Sequence, residues 1–184
     1  EAGHAPQVSQ AARFNALLRD ELRGSLAIDP YAQPHAPPAG SRSGRCTSER
    51  GRSFTGDYEE IVLQGCVDVE IADARVGRLT ASRSQVRIVN SHLRDGVESH
   101  DSRLEFTGGS LGGDPPLLVD ETNIDAAALR FLPRGRTVAT NYGEGTVTLR
   151  LSVSEIVGPN GQPRYVHQIL RLVDDQSWTP RGLR

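Results

Sequence analysis

Two histidines and three carboxylates crowd one short span of this chain: His92, Asp95, Glu98, His100 and Asp101. Imidazoles beside carboxylates are the side chains that exchange protons near neutral pH or hold a hard metal ion. His92, Asp95, His100 and Asp101 are therefore the candidate catalytic residues, and the chemistry they would support is cleavage of a polysaccharide by a small carbohydrate-active protein. The same residue types also belong on any solvent-facing turn. No HExxH, EF-hand loop or Cys/His cluster accompanies them, so neither a metal nor a cofactor is expected. Gly108 to Gly113 is glycine-rich but lacks the Lys-Ser/Thr of a phosphate-binding loop, and reads as a turn.

A second set could bind rather than react. Arg75, Arg87, His92, Arg94 and Arg103 recur at intervals compatible with one face, and a basic stripe follows the phosphates of DNA or the uronates of an acidic sugar. Glu70, Asp73, Glu98 and Glu105 are interspersed, and the formal net charge is −2, so no global attraction to polyanions is expected. All 21 basic residues are arginine and methionine is absent.

Cys46 and Cys66 are the two cysteines. They read either as one disulfide in an exported protein, closing a loop worth about 3 kcal/mol, or as two buried free thiols; the disulfide is the expectation carried forward. A chain beginning at Glu1 is read as processed or trimmed, with any membrane contact made through a segment upstream of it.

What must position these residues is a repeat. The pattern apolar-x-apolar-x-x-small-x-apolar occurs at Val69, Ile71, Ala74, Val76; at Val86, Ile88, Ser91, Leu93; at Leu104, Phe106, Gly109, Leu111; and at Ile124, Ala126, Leu129, Phe131, with starts 17, 18 and 20 residues apart. Self-similarity at such a period predicts a coiled sheet whose inward side chains are buried only by neighbouring turns. The fold class expected is mainly β: a short right-handed β-solenoid with an N-terminal helix and a C-terminal antiparallel hairpin. In this reading Glu70, Arg87, Glu105 and Asp125 stack outward as a charge ladder, and Ser84, Ser102 and Thr122 bond the backbone in tight turns. The insertion Gly112-Gly113-Asp114-Pro115-Pro116 becomes a loop on one side.

Four segments follow. Residues 1–28 hold an amphipathic helix, with Ala11, Phe14, Leu18 and Leu22 on one face. Residues 29–60 are a Pro/Gly-rich loop pinned by the cysteines, 61–132 the solenoid with Ile61, Leu63 and Cys66 as an imperfect entry strand, and 133–184 a hairpin and a tail.

The run Ala11-Ala12-Arg13-Phe14-Asn15-Ala16-Leu17-Leu18-Arg19-Asp20-Glu21-Leu22-Arg23, followed by a polar loop, two cysteines, sheet and a terminal hairpin, resembles the soluble part of type IV minor pilins and type II secretion pseudopilins. Bactofilins are similar as bacterial solenoids, with more regular turns. The pilin resemblance implies a non-enzymatic, extracytoplasmic structural or adhesive protein, located in the periplasm, at the cell surface or in a pilus. Its partners would be other filament or secretion-system subunits, and the surface, sugar or DNA that the filament contacts.

Overall fold

Alternation of apolar and polar residues at period two puts every second side chain on the same side of a strand. Repeating that alternation at intervals near the length of one turn lets successive strands stack side by side. The computed structural model describes residues 41–159 and 161–181, and within them the chain is mainly β, with 68% of residues in strands, no helix, and about 6 stacked turns. The expected helix in 1–28 and the first part of the Pro-rich segment, 29–40, lie outside the described residues.

Each turn passes along three walls. In the first, β3 (Val69–Ser82), β4 (Gln85–Val89), β7 (Arg103–Thr107), β10 (Asn123–Ala127) and β13 (Thr146–Val157) pair in parallel. Their register aligns Val69, Val86, Leu104, Ile124 and Leu149 in one column, and Ile71, Ile88, Phe106, Ala126 and Leu151 in the next. The second wall runs through the middle of β3, β5 (His92–Leu93), β8 (Ser110–Gly113), β11 (Arg130–Pro133) and the end of β13, aligning Val76, Leu93, Leu111, Phe131 and Ile156. The third wall stacks β1 (Arg42–Thr47), β2 (Ser53–Gln64), the end of β3, β6 (Val97–His100), β9 (Leu117–Asp120) and β12 (Ala139–Asn141). All of these inward side chains are buried. They form one continuous core, because a column has no other way to leave water.

The corners are built from two local devices. Between the third and first walls, Ser48, Gly65, Arg83, Asp101 and Glu121 all take positive φ, and between the first and second walls Asp73, Asn90, Gly108, Ala128 and Val153 do the same. A single left-handed residue turns an extended chain sharply, and only Gly, Asn and Asp adopt it at little cost. Just past Arg83, Asn90, Asp101, Glu121 and Val153, a hydroxyl locks the bend. Ser84, Ser102 and Thr122 donate to the carbonyls of Ser82, His100 and Asp120 at 2.8, 2.8 and 2.7 Å, as their positions in the repeat predict. Ser91 donates to Val89 O at 2.8 Å and accepts from Ala74 N in the turn below at 3.1 Å. Ser84 accepts from Cys66 N, and Ser102 from Ser84 N. The hydroxyls of Ser84, Ser91 and Ser102 therefore each satisfy one group in their own corner and one in a neighbour's.

The structure corrects several boundaries. The segment 29–60 is not a loop throughout, since β1 and most of β2 lie within it and pair in parallel as the first turns. Ile61 and Leu63 do not open the first wall; they sit in the third, opposite Leu79 and Ala81, because the first-wall position of that turn is held by Phe54, paired with Ile71. The stacking also continues past 132. Leu149, Leu151, Ser154 and Ile156 repeat the template, aligned on Ile124, Ala126, Leu129 and Phe131. β13 additionally pairs antiparallel with β14 (Pro163–Val173), and β15 (Ser177–Trp178) pairs antiparallel with β12. The insertion at 112–116 does not project as a loop. Gly112 and Gly113 belong to β8, and Val97 N donates to Pro116 O at 2.9 Å, so it forms an ordinary corner.

Cys46 and Cys66 lie at disulfide distance, both buried, and join β1 to the corner after β2. Gly109 shows how closely the turns approach. Its φ is +82°, and a β-carbon there would come within 2.1 Å of Ser91 O. Gly109→Ala is therefore expected to lose more than about 1 kcal/mol of unfolding free energy. Phe106→Ala, which empties a core column, is expected to lose about 3–5 kcal/mol. Urea unfolding of the two variants checks both figures.

Candidate functional site

Five strands of the third wall end on an outward-pointing polar residue immediately before the left-handed corner. In register these are Thr47, Gln64, Ser82, His100 and Asp120, and Tyr142, whose N–H donates to Val119 O at 3.1 Å, continues the row. Parallel strands bring such residues about 4.8 Å apart. Ser82, His100 and Asp120 thus stand side by side on three successive turns although 18 and 20 residues separate them in the chain.

Asp120 organises this row. Its carboxylate is 12% exposed and accepts from His100 Nδ1 at 3.0 Å and from Gly145 N at 3.1 Å. A buried carboxylate needs such donors to offset lost hydration. The loop that supplies the second donor is pinned from below: buried Asn141 donates through Nδ2 to Gly145 O at 2.6 Å and accepts through Oδ1 from Gly143 N at 3.2 Å. Gly143 lies so near that a β-carbon would fall 2.3 Å from Asp120 Cγ. Because the carboxylate only accepts, the neutral form of the half-exposed His100 ring carries its proton on Nδ1 and its lone pair on Nε2. Burial, and then the charges of Glu98 and Asp120, push the Tyr142 hydroxyl above its ordinary range, which keeps it protonated beside this pair.

The other sequence candidates are dispersed. His92 is buried in the second wall, its Nδ1 at 2.7 Å from Ser110 Oγ. Asp95 sits at the corner between the second and third walls, bound by Arg94 Nε at 2.7 Å and Arg134 Nη2 at 2.5 Å. Asp101 occupies an exposed left-handed corner position. The four residues therefore occupy different walls and corners, and among the described residues no three His, Cys, Asp or Glu side chains gather as a metal site.

The arginines of the expected basic stripe are matched to acids. Arg75 grips Asp57 through two bonds of 2.6 and 2.9 Å, Arg87 pairs with Glu70, Arg94 reaches Glu59 as well as Asp95, and Arg103 meets Glu105 at 2.9 Å and Asp125 at 3.6 Å. Glu70, Arg87, Glu105, Asp125 and Arg150 occupy one outward column of the first wall, so the predicted ladder is present and one turn longer. Above it, where β14 meets β13, lies a groove of about 780 Å³ lined by Arg103, Glu105, Arg150, His167 and the exposed Ile169.

Sequence reasoning found His100 and missed Ser82, Asp120 and Tyr142. The usable signal was the period itself, applied to the outward residue that precedes each corner rather than to the inward apolar ones. Comparison with known proteins gives no further guide: no family model, no curated protein and no solved structure matches this chain.

Burial pushes the Asp95 carboxyl up, but the hydrogen bonds and charges of Arg94 and Arg134 outweigh it and hold the group below the ordinary carboxylate range. A depressed native value stabilises the fold above the unfolded value near 3.9, and that contribution disappears as pH falls through the native one. Asp95→Asn is expected to cost about 0.5–1 kcal/mol at neutral pH. Denaturant titrations at descending pH should show the deficit holding to about pH 4 and closing below it; a deficit unchanged in acid would remove the ion pairs as its source.

Proposed function

We propose that the protein is an extracytoplasmic structural and adhesive module, a subunit of a bacterial filament or secretion system of the minor-pilin or pseudopilin kind. In this reading the solenoid is right-handed, the residues before it form the helix expected from 1–28, and β13 with β14 makes the terminal hairpin. Its partners are other subunits of the assembly and the sugar or DNA surface that the assembly meets.

The observation that carries this reading is the layout of the outer faces. Acidic and basic side chains stack in register along the first wall as Glu70, Arg87, Glu105, Asp125 and Arg150, with opposite charges meeting at three of the four steps, while the candidate acid–base residues of the sequence are distributed over separate walls and corners. A rigid, charge-patterned face fixes the register and orientation of a partner more than it raises raw affinity. The Cys46–Cys66 pair supports the compartment, because disulfides persist where the surroundings are oxidising.

Shearing and fractionation of the producing cells test the proposal. The protein is expected in the sheared surface or periplasmic fraction, with both cysteines resistant to alkylation until a reductant is added. Recovery in the cytosolic fraction with both thiols freely alkylated would overturn it.

A further inference from the structure

The row on the third wall contains more than a stabilised histidine. Reading along it, the hydroxyl of Ser82, the ring of His100 and the carboxylate of Asp120 follow one another on adjacent, in-register strands. The last contact is made: Asp120 Oδ2 lies 3.0 Å from His100 Nδ1, and Gly145 N holds the other oxygen. With that proton fixed on Nδ1, the basic lone pair is on Nε2, the nitrogen that does not face Asp120. Ser82 stands one strand spacing, about 4.8 Å, on the opposite side of His100 from Asp120. Rotation about its Cα–Cβ bond turns a serine Oγ toward the neighbouring strand, and nucleophile–base contacts are commonly loose until substrate is bound.

We propose that Ser82, His100 and Asp120 form an acyl-transfer site that hydrolyses carboxylate esters. Ser82 Oγ is the nucleophile, His100 Nε2 the general base and then acid, and Asp120 the positioning residue that holds the ring and its tautomer. In the first half-reaction Oγ bonds to the acyl carbon while its proton passes to Nε2, and the alcohol leaves carrying that proton. In the second, water attacks the acyl-serine with its proton again taken by Nε2. The carboxylic acid departs, and the serine recovers its hydrogen from the ring. Water is the only co-reactant, and atoms and charges balance over the cycle.

The substrate class follows from the setting. Ser82 and His100 lie on an outer wall, part-exposed and half-exposed respectively, so the acyl group is one displayed on a larger molecule rather than enclosed. An ester suits the site better than an amide, since an alcohol leaves with less help from a general acid. This activity goes beyond the structural role, and its test does not depend on where the protein resides.

The intact chain is treated with diisopropyl fluorophosphate, which forms a phosphorus–oxygen bond to an activated serine and releases fluoride, and the product is read by intact mass and peptide mapping. One adduct at Ser82 is expected, absent in Ser82→Ala and slowed at least about tenfold in His100→Gln. Hydrolysis of p-nitrophenyl acetate should fall to the buffer rate in the same two variants. Asp120→Asn separates positioning from folding. Nitrogen-edited NMR should find the His100 proton moved from Nδ1 to Nε2, with adduct formation slowed and the thermal midpoint of Ser82→Ala serving as the folded reference. No adduct on the native protein, an adduct elsewhere, or equal labelling of His100→Gln would each overturn the proposal.

Discussion

In-register parallel stacking is the constraint on which everything else in this molecule depends. A turn of this chain has no core of its own: Val86, Ile88 and Leu93 become buried only because Val69, Ile71 and Val76 lie on one side and Leu104, Phe106 and Leu111 on the other. Stacking of that kind demands that each corner fall at the same place in every turn. The left-handed positions accordingly form columns, and even Ala128 and Val153 adopt the conformation that Asp73 and Asn90 take more easily. The strain at those two residues is offset by the buried columns that the shared geometry allows, and by hydroxyls such as Ser91 that serve two corners at once.

The same constraint organises the outside. Once inward residues align, outward ones must align too, so residues 16 to 25 apart in the chain become neighbours one strand apart. On the first wall this juxtaposes opposite charges, which stabilise the register modestly and leave a patterned face. On the third wall it places a serine, a histidine and a buried carboxylate in a row. Neither arrangement requires a pocket, and neither could be assembled by local sequence. The Asn141 side chain, which fixes the loop over Asp120, shows the fold supporting that row from the inside.

Much of this was legible in advance, and the reasons for the failures are physical. Inward apolar periodicity identifies the stacked turns from Val69 to Phe131, and the corner hydroxyls and the charge ladder follow from the same frame. The first turn escaped because Phe54, Gly56 and Tyr58 compress the template by one residue. The last escaped because the stretch from Pro133 to Thr146, which carries β12, is longer than its counterpart in the other turns, and because β13 also alternates like a hairpin strand, a pattern compatible with both roles. The candidate cluster from His92 to Asp101 was formed on proximity in sequence, which a solenoid converts into separation around its circumference. Ser82 and Asp120 required the opposite step, from separation in sequence to contact along the axis.

Distances between spin labels along one outward column test the stacking most directly. Arg45, Val62, Thr80, Glu98, Leu118 and Thr140 occupy successive positions of the third wall. With one label at Arg45→Cys and the second moved from Glu98→Cys to Leu118→Cys to Thr140→Cys, the separation should grow by about 4.8 Å at each step, from about 14 to about 24 Å. Separations that fail to increase in that order, or that jump by more than one strand spacing, would contradict the stacked turns and with them every site placed on their walls.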